Sequence, residues 1–410
     1  MSLPSKRILF ISNGHGEDNH SSYVIETLLK MYPNLEVAAM PIVGEGSAYH
    51  RLNVPIIGPT QNMPSGGFSY INRLRLLTDL KAGLVGLSWR QLQAVWQYAP
   101  SCDLIMATGD TVSQGFAYST GYPYVSFISC LSALYEGQLK IGPFIGTFLR
   151  SQRCLTVFTR DPYTAQDLQK QGITKAQFGG IPSLDKLIPT GKDLQLNPDV
   201  FMIALLPGSR LPEAVRNFKL QLDFILEIVK VMSLDTVQFR AALVPKVMQE
   251  LGEIADSKGW QYRDHKLTYE TEQGTVQLLC YSDAFTDILH NCTLMLGMAG
   301  LAVDQGVALG KPVIQVPGEG PQFTYEFAEA QTRLIGSCAQ TVGKGPATPE
   351  TLREAAQCVA KTLKDKDYLT DCVEKGKNRF GSPGASARIA RFLLAYLGIN
   401  EEQLLAIGDQ

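Results

Sequence analysis

The 410-residue sequence lacks several features that would assign it to a simple class. Its formal net charge is only -2, which argues against a nucleic-acid-binding protein. It has no uninterrupted run of about 18 apolar residues, so we expect no membrane-spanning helix. The apolar run at 8–11 is too short for the apolar part of a signal peptide. We therefore expect a cytoplasmic protein that does not bind nucleic acid.

Paired cysteines and metal-binding motifs are also missing. The eight cysteines show no paired spacing of the kind that binds metals, and we interpret them as reduced thiols. No Asp-x-Asp motif lies in a sequence context that indicates a metal site. The sequence therefore predicts neither a metal nor a cofactor.

Short apolar runs alternate with helical periodicity from the start of the chain. The runs at 8–12, 35–42, 104–107 and 124–128 predict strands, and apolar residues on one face of 21–31 predict a helix. Parallel strands are buried on both faces, which explains such continuous apolar runs. The pattern is typical of a parallel sheet with crossover helices.

The pattern stops at about 188–199, where proline, glycine and asparagine predict a linker, and then starts again. The elements predicted after the linker are strands at 201–206, 239–244, 276–280, 293–296 and 313–316, and helices at 213–232, after Gly300 and at 385–397. We predict an α/β protein with two Rossmann-like, doubly wound domains facing a cleft. The predicted domains are 1–190 and 199–375, with a C-terminal helix in 376–398 that packs back on the first domain.

The loop after the first strand concentrates titratable groups. Its glycines allow a tight turn before a helix N-terminus, but the third glycine of a dinucleotide-binding motif is missing. Glu17 and Asp18 stand there between His15 and His20. Carboxylates at the end of such a strand predict a general base. The alternative is a helix cap with solvated histidines.

The segment at 205–210, Leu-Leu-Pro-Gly-Ser-Arg, precedes the long helix of the second half. Pro-Gly makes a turn, the backbone amides and Ser209 face the helix N-terminus, and Arg210 can bind phosphate oxygens with two N–H groups. The alternative is a turn that binds nothing.

A second glycine-rich segment follows at 297–305. Its small residues allow a nucleotide to approach the backbone at a helix N-terminus, and Asp304 or Gln305 could reach ribose hydroxyls. The alternative is close packing of the helix on the sheet.

Segment 205–210 with Glu213 resembles the Leu-Pro-Gly-Ser-Arg motif and downstream Glu of lipid-A-disaccharide synthase. More distantly, the chain resembles the other UDP-N-acetylglucosamine-dependent transferases and epimerases of the GT-B fold. Segments 14–18, 102–110 and 179–185 are similar to further motifs of the synthase, and the resemblance extends over about 6–395. Two departures stand out. Gln305 replaces the usual ribose-binding Glu, and 127–131 lacks the synthase's tryptophan-containing stretch near the acceptor.

The resemblance implies a glycosyltransferase that moves a hexosamine-type sugar from a UDP-sugar to a lipid or lipid-linked acceptor. Domain 1–190 would bind the acceptor and domain 199–375 the donor, with Asp110, Asp18 or Glu17 as the base. The predicted donor-binding residues are Gly208, Ser209, Arg210, Glu213, Gly297, Ala299, Gly300, Leu301, Asp304, Gln305 and Gln322. Two alternatives stay open: a UDP-sugar 2-epimerase and a non-catalytic UDP-sugar-binding protein.

Residues 68–98 carry a local positive charge. Four basic residues and one acidic residue give this stretch a net charge of +3, together with leucines, Trp89 and Trp96. A basic amphipathic helix can lie in a membrane interface, here at the inner face of the membrane. The alternative is a helix packed on the core with its arginines in water.

Overall fold

Two sheets of buried strands organise the chain. The computed structural model describes residues 6–61 and 83–399. The contacts divide into two units, one holding the chain up to Lys186 and again from Ser382, the other holding Leu187–Gly381. Each unit has its own sheet and its own helices, which confirms the predicted α/β class with two Rossmann-like domains.

The first unit contains a six-stranded sheet in the order β2-β1-β3-β4-β5-β6, with every pair parallel. Its elements are β1 (Arg7–Ser12), α1 (His15–Met31), β2 (Glu36–Pro41), α2 (Ser47–His50), α3 (Leu84–Tyr98), β3 (Leu104–Thr108), α4 (Thr111–Ser119), β4 (Tyr124–Ile128), α5 (Pro143–Arg150), β5 (Cys154–Thr159), α6 (Pro162–Lys170), β6 (Ala176–Phe178) and, near the C-terminus, α15 (Ala385–Tyr396). The strand at 124–128 has the predicted bounds. Apolar side chains are buried on both faces of the sheet, as a doubly wound fold requires.

Helix α15 belongs to the first unit. It packs on α1, and its Ile389 and Leu393 are buried in the same core as Phe10 and Phe158. The Asp185 carboxylate accepts hydrogen bonds from the first amides of this helix. The predicted segment 376–398 is thus divided, because its first residues continue a helix of the second unit.

The second unit contains an eight-stranded sheet in the order β14-β13-β12-β7-β8-β11-β10-β9. Its elements are β7 (Phe201–Leu206), α7 (Glu213–Val231), β8 (Val237–Ala242), α8 (Pro245–Gln249), α9 (Leu251–Lys258), β9 (Gln261–Arg263), β10 (Lys266–Thr271), β11 (Gly274–Tyr281), α10 (Phe285–Asn291), β12 (Leu294–Gly297), α11 (Leu301–Ala308), β13 (Val313–Gln315), α12 (Tyr325–Ile335), β14 (Ala339–Thr341), α13 (Pro349–Lys364) and α14 (Lys366–Phe380).

An antiparallel extension at one edge of this sheet was not predicted. Strands β9 and β10 pair antiparallel, as do β10 and β11, and the turn between β9 and β10 holds Asp264 and His265 at positive φ. Two such residues form the mirror-image turn that suits a hairpin. These strands are half exposed, so they lack the long apolar runs that revealed the parallel strands.

The predicted linker at 188–199 is held by the second unit. The Asp287 carboxylate accepts hydrogen bonds from the backbone amides of Thr190 (2.9 Å), Gly191 (2.8 Å) and Lys192 (3.2 Å). The Arg240 guanidinium donates to two further backbone carbonyls of the same segment. Side chains far away in sequence therefore fix this segment along the second unit.

Candidate functional site

In the first unit, the loops after β1, β3 and β4 leave the same edge of the sheet. These strands are parallel neighbours, so their carboxyl ends lie side by side. Helix α1 begins at His15 rather than at the predicted 21, with Gly14 as its N-cap residue. Glu17 and Asp18 thus lie in the first turn of α1, where the helix dipole favours negative charge. The N-cap position is held by a glycine, which has no side chain to cap the helix.

Asp18 is buried in a polar cluster beneath the loop. It is 1% exposed, and the Ser12 hydroxyl donates to its Oδ1 at 2.5 Å. Ser12 Oγ also lies 2.5 Å from the Tyr49 hydroxyl, while Oδ2 of Asp18 has no hydrogen-bond partner within the described ranges. Burial raises the pKa of Asp18 to about 7. This carboxyl group can therefore hold or release a proton near neutral pH.

Glu17, in the first turn of α1, lies against the loop after β3. Gly109 has φ +132°, and a Cβ placed there would lie 3.4 Å from Glu17 Cγ and 2.8 Å from Asn13 Cβ. The glycine thus lets the loop after β3 approach the first turn of α1 closely. Burial raises the pKa of the Cys130 thiol well above its usual value, and the charges of Glu17 and Asp110 raise it further. These three groups are electrostatic neighbours.

Asp110 begins α4 as its N-cap residue. Its carboxylate accepts a hydrogen bond from the Val112 amide at 3.0 Å, and burial raises its pKa. The structure thus brings the three predicted carboxylates, Glu17, Asp18 and Asp110, to one edge of one sheet, each in a different environment. Asp110 among them is a helix N-cap residue.

The two histidines of the first loop differ from each other. His15 is exposed, and its ring lies against Gly44. His20 is buried, and burial, helped by the charge of Arg160, lowers its pKa to about 3. It is therefore a neutral core residue, which corrects the alternative of two solvated histidines. Within residues 6–61 and 83–399, no cluster of three or more His, Cys, Asp or Glu side chains could hold a metal ion.

In the second unit, the predicted phosphate-binding loop joins β7 to α7. Gly208 has φ +97°, and a Cβ there would lie 3.1 Å from the Met298 carbonyl oxygen. This position therefore favours glycine on two counts, backbone conformation and close approach to the loop after β12. Ser209 is exposed and Arg210 is half-buried at the start of a 19-residue helix. The loop thus presents a hydroxyl and a cation at a helix N-terminus.

Glu213 supports a neighbouring loop. Its Oε1 accepts hydrogen bonds from the amides of Phe323 (2.6 Å) and Gln322 (3.0 Å), and the side chain is buried. One turn on, the Arg216 guanidinium donates to the Gly320 carbonyl at 2.5 Å. The first turn of α7 thus fixes the segment that carries Gln322, and the structure gives Glu213 a positioning role.

The glycines of the glycine-rich segment have different surroundings. A Cβ at Gly297 would lie 2.6 Å from side-chain atoms of Val303 and Val313, so this glycine serves close packing. Gly300 is the N-cap residue of α11. A Cβ there would lie 3.5 Å from the Phe327 ring and 3.9 Å from the side-chain Nε2 of Gln322. Gly300 and Gln322, predicted from separate segments, are therefore neighbours.

The predicted ribose-binding residues Asp304 and Gln305 are both nearly buried in α11. Asp304 Oδ1 accepts a hydrogen bond from Gln331 Nε2 at 3.0 Å. Gln331, which lies 27 positions further on, was not predicted from the sequence. A glutamine on the buried face of a helix was the signal that could have revealed it.

The described part of the basic stretch 68–98 is helix α3; residues 68–82 lie outside the described residues. Leu87, Gln91 and Val95 are buried, whereas Trp89 and Trp96 are 53% and 39% exposed. The helix thus packs on the core by one face and presents two indoles on the other. No helix among the described residues is long and apolar enough to cross a bilayer.

Comparison with known proteins connects both units to one fold. No family model matches the chain. A lipid-A-disaccharide synthase from Geobacter metallireducens is 22% identical over 421 residues, covering 96% of this chain and 98% of that protein. The structure of CalG4, the calicheamicin glycosyltransferase, matches with a TM-score of 0.61 and 14% identity over 97% of this chain and 99% of that chain.

A third match is the UDP-GlcNAc 2-epimerase from Neisseria meningitidis bound to UDP-GlcNAc. Its TM-score is 0.50, with 14% identity over 95% of this chain and 100% of that chain. The fold is GT-B. The resemblance to lipid-A-disaccharide synthase, stated above from motifs, is confirmed by a relative that matches nearly the whole chain.

Within the GT-B fold, each unit brings its own predicted residues together. The first unit gathers the three acidic residues, and the second gathers the loop at 207–212, Gly300 and Gln322. Three neighbours of these sets were missed, namely Tyr49, Cys130 and Gln331. Tyr49 lies in the short helix α2 and Cys130 in the loop after β4, neither within a recognisable motif, so only the fold reveals them.

Proposed function

We propose that the chain is a glycosyltransferase that moves a hexosamine-type sugar from a UDP-sugar to a lipid or lipid-linked acceptor. The observation that carries this proposal is the contrast between the units: acids at the strand ends of one, and a glycine, a hydroxyl and a cation at a helix start in the other. Full-length similarity to a lipid-A-disaccharide synthase supports the same reaction class.

The second unit is proposed to bind the donor. The amides at the start of α7 and the Arg210 guanidinium offer N–H donors and positive charge to a diphosphate. Negative charge grows on the diphosphate as the bond to the sugar breaks, so the same groups stabilise the leaving UDP. Asp304 and Gln305 are proposed to contact the ribose.

The first unit is proposed to supply the base. Glu17 and Asp110 are half-buried, and Asp18 has a pKa of about 7, close to the value that suits proton transfer at neutral pH. One of these carboxylates removes the proton of an acceptor hydroxyl. The hydroxyl oxygen then bonds to the anomeric carbon, and the bond between that carbon and the diphosphate oxygen breaks with its electrons leaving on UDP.

The lipid nature of the acceptor is supported by helix α3. Its exposed Trp89 and Trp96 and the net charge of +3 over 68–98 suit an anionic membrane surface. An acceptor with acyl chains would reside in such a surface. The proposal therefore includes peripheral membrane contact through this stretch.

The experiment that tests the function is incubation of the purified protein with UDP-N-acetylglucosamine and a panel of acyl-sugar lipids, followed by mass spectrometry. A lipid heavier by one N-acetylhexosamine, with an equal amount of UDP released, supports the proposal. A 2-epimeric UDP-sugar formed without acceptor would instead show an epimerase. Binding of UDP-N-acetylglucosamine without either product would show a non-catalytic binding protein.

A further inference from the structure

Two buried cysteines meet at one edge of the second unit. Cys338 directly precedes β14, the edge strand of the eight-stranded sheet, and Cys372 lies in α14. Both side chains are fully buried, although the two residues are 34 positions apart in sequence. Cys338 Sγ lies 3.9 Å from the Cys372 carbonyl oxygen, and the Cys372 thiol donates a hydrogen bond to the Cys338 sulfur. Both thiols are free, so the fold places two reduced sulfur atoms side by side.

Hydrogen bonds on both sides of this pair hold α14 against the segment before β14. The Tyr368 hydroxyl, one turn before Cys372, donates to the Ser337 carbonyl at 2.7 Å. The Arg379 guanidinium, two turns after Cys372, donates to the Leu334 carbonyl at 2.6 Å. A disulfide requires two sulfur atoms that the backbone already holds near each other, because its bond geometry is narrow. These contacts meet that requirement.

The two thiols differ in acidity. The hydrogen bond from Cys372 lowers the pKa of the Cys338 thiol despite its burial, and the charges of Lys375 and Arg379 act in the same direction. The same hydrogen bond, together with burial, raises the pKa of Cys372. Burial raises the pKa of each of the other six thiols. Since the thiolate is the nucleophile in thiol chemistry, Cys338 is the cysteine best prepared to attack.

The pair lies just below the surface. Ser337, next to Cys338, is exposed, and so are Asp371 and Val373 on either side of Cys372. Local openings of this size cost less free energy than global unfolding. A small opening between α14 and the segment before β14 therefore brings Cys338 into contact with a small reagent.

We propose that Cys338 and Cys372 form a redox modification site, which a low-molecular-weight disulfide such as oxidised glutathione converts to a disulfide bond. The Cys338 thiolate attacks one sulfur of the reagent, whose S–S bond breaks and releases one thiolate. The Cys372 thiolate then attacks Cys338 Sγ and displaces the second thiolate. The two protein thiols lose two electrons and two protons in total, and the reagent takes them up and leaves as two thiols. This site is independent of the proposed function.

The first step prepares the second. The Cys338 sulfur is the main cause of the raised pKa of Cys372, and it carries no negative charge once it is bonded to the reagent. The pKa of Cys372 therefore falls when its thiolate is needed.

The disulfide would fix α14 to the edge of the sheet. Helix α14 packs on α11, and a Cβ at Gly376 would overlap the Val307 carbonyl oxygen, so the two backbones are already in close contact. The chain returns to the first unit at Ser382, directly after α14. A bond between residues 34 positions apart also restricts the unfolded chain. Oxidation is therefore expected to stabilise the second unit.

Oxidation of the full-length protein followed by mass spectrometry tests the proposal. The native protein is incubated with oxidised glutathione, remaining thiols are alkylated in denaturant without a reductant, and the chain is digested with trypsin. Cleavage after Lys and Arg yields peptides 334–344 and 367–375, each with one cysteine of the pair. We expect these peptides joined, lighter than their sum by two hydrogen atoms, and the other six cysteines alkylated. Dithiothreitol should separate the joined peptides.

The oxidised protein should also melt about 5–10 °C above the reduced protein. Cys338→Ala and Cys372→Ala should each lose both the joined peptides and this rise. The matched control is Cys292→Ala, since Cys292 is another buried cysteine of the second unit, with its thiol donating to the Leu289 carbonyl at 3.4 Å. This variant should keep the joined peptides and the rise in melting temperature.

The single variants also test the order of the two steps. In Cys372→Ala, Cys338 should be recovered bonded to glutathione, because no second thiol is there to displace it. In Cys338→Ala, Cys372 should be recovered alkylated. Glutathione on Cys372 but not on Cys338 would overturn this order.

The wild-type peptides decide the proposal even if a variant does not fold. Recovery of both cysteines alkylated after oxidation, or of Cys338 joined to a cysteine other than Cys372, overturns it. Either result leaves the proposed glycosyltransferase function untouched, because no residue of this pair belongs to the proposed donor or acceptor sites.

Discussion

The loop after β1 and the loop after β7 occupy equivalent places, each between a buried parallel strand and a long helix. The first loop leads into acids, of which Asp18 is desolvated enough to have a pKa of about 7. The second carries Gly208, Ser209 and Arg210 at or near the surface. We propose that the same backbone arrangement serves proton transfer in one unit and anion binding in the other. Side-chain charge and burial, rather than fold, make the difference.

The largest expected effect is on turnover. If the first unit supplies the base, at least one of Glu17→Gln and Asp110→Asn should lower kcat by about 10²–10⁴, the usual contribution of a positioned general base. Affinity for UDP should stay unchanged, because these residues belong to the first unit. Steady-state kinetics with a fixed acceptor and a separate UDP titration measure the two quantities. Full activity in both variants would leave Asp18 as the remaining candidate.

The next effect concerns the pH dependence of stability. Burial raises the pKa of Asp18 to about 7, whereas an unfolded aspartate has a pKa near 4. The folded protein therefore keeps a proton that the unfolded chain releases between these values. The free energy of unfolding should fall as pH rises from about 4 to about 7, by up to about 4 kcal/mol from this group.

Asp18→Asn should remove this contribution and make the protein more stable than the wild type above pH 7. Urea unfolding at several pH values measures it. Of the three tryptophans, Trp89 and Trp96 are in the first unit, so Trp260→Phe gives a parent whose tryptophan fluorescence reports that unit alone. An equal slope of stability against pH in parent and variant would show that Asp18 is ionised in the folded protein.

A smaller effect is expected at Gly208. Alanine there must adopt φ +97° and approach the Met298 carbonyl, which should cost about 1–3 kcal/mol of stability and weaken UDP binding. Gly252→Ala is the matched control, since it lies in α9 and its new Cβ would meet only Tyr262 at 3.8 Å. That change should be neutral or stabilising. Equal melting temperatures in the two variants would contradict the role given to the Gly208 turn.

The smallest expected effect is membrane binding. Each basic residue near an anionic surface contributes about 1 kcal/mol, so a net charge of +3 with two exposed indoles predicts weak binding that salt reverses. Anionic vesicles should sediment the wild type at low salt, and the variant Arg73→Glu, Arg75→Glu, Arg90→Glu should stay in solution.

The control for membrane binding changes three exposed basic residues of the second unit, Arg263, Lys344 and Lys366, to Glu. It alters the net charge equally and should still sediment. If the wild type ignores anionic vesicles at low salt, α3 is only a packing helix and the acceptor is soluble.

The sequence predicted those parts of the fold that depend on local pattern. The strands at 124–128 and 201–206 have the predicted bounds because their apolar runs are continuous. The hairpin at 261–271 was missed because its half-exposed residues lack such a run. Helix α1 starts six residues earlier than predicted because two glycines near its start are typical of a loop.

The site residues were predictable where a motif carries them and not where the fold joins distant segments. Segment 205–210 was proposed from its motif, and its phosphate-binding role stays a prediction. The position of Glu213 was found too, but its partners lie 109 and 110 residues away, so its positioning role was not. Gln331 was missed for the same reason, since its contact with Asp304 spans 27 residues.

The most direct test of the division between the units is a UDP titration of three proteins: wild type, Arg210→Ala and Glu17→Gln. We expect Arg210→Ala to weaken UDP binding by about 10- to 100-fold, the loss expected for a charge-assisted contact to phosphate. Glu17→Gln should bind UDP as the wild type does. Equal affinity in wild type and Arg210→Ala, or a large loss in Glu17→Gln alone, would contradict the assignment of donor binding to the second unit.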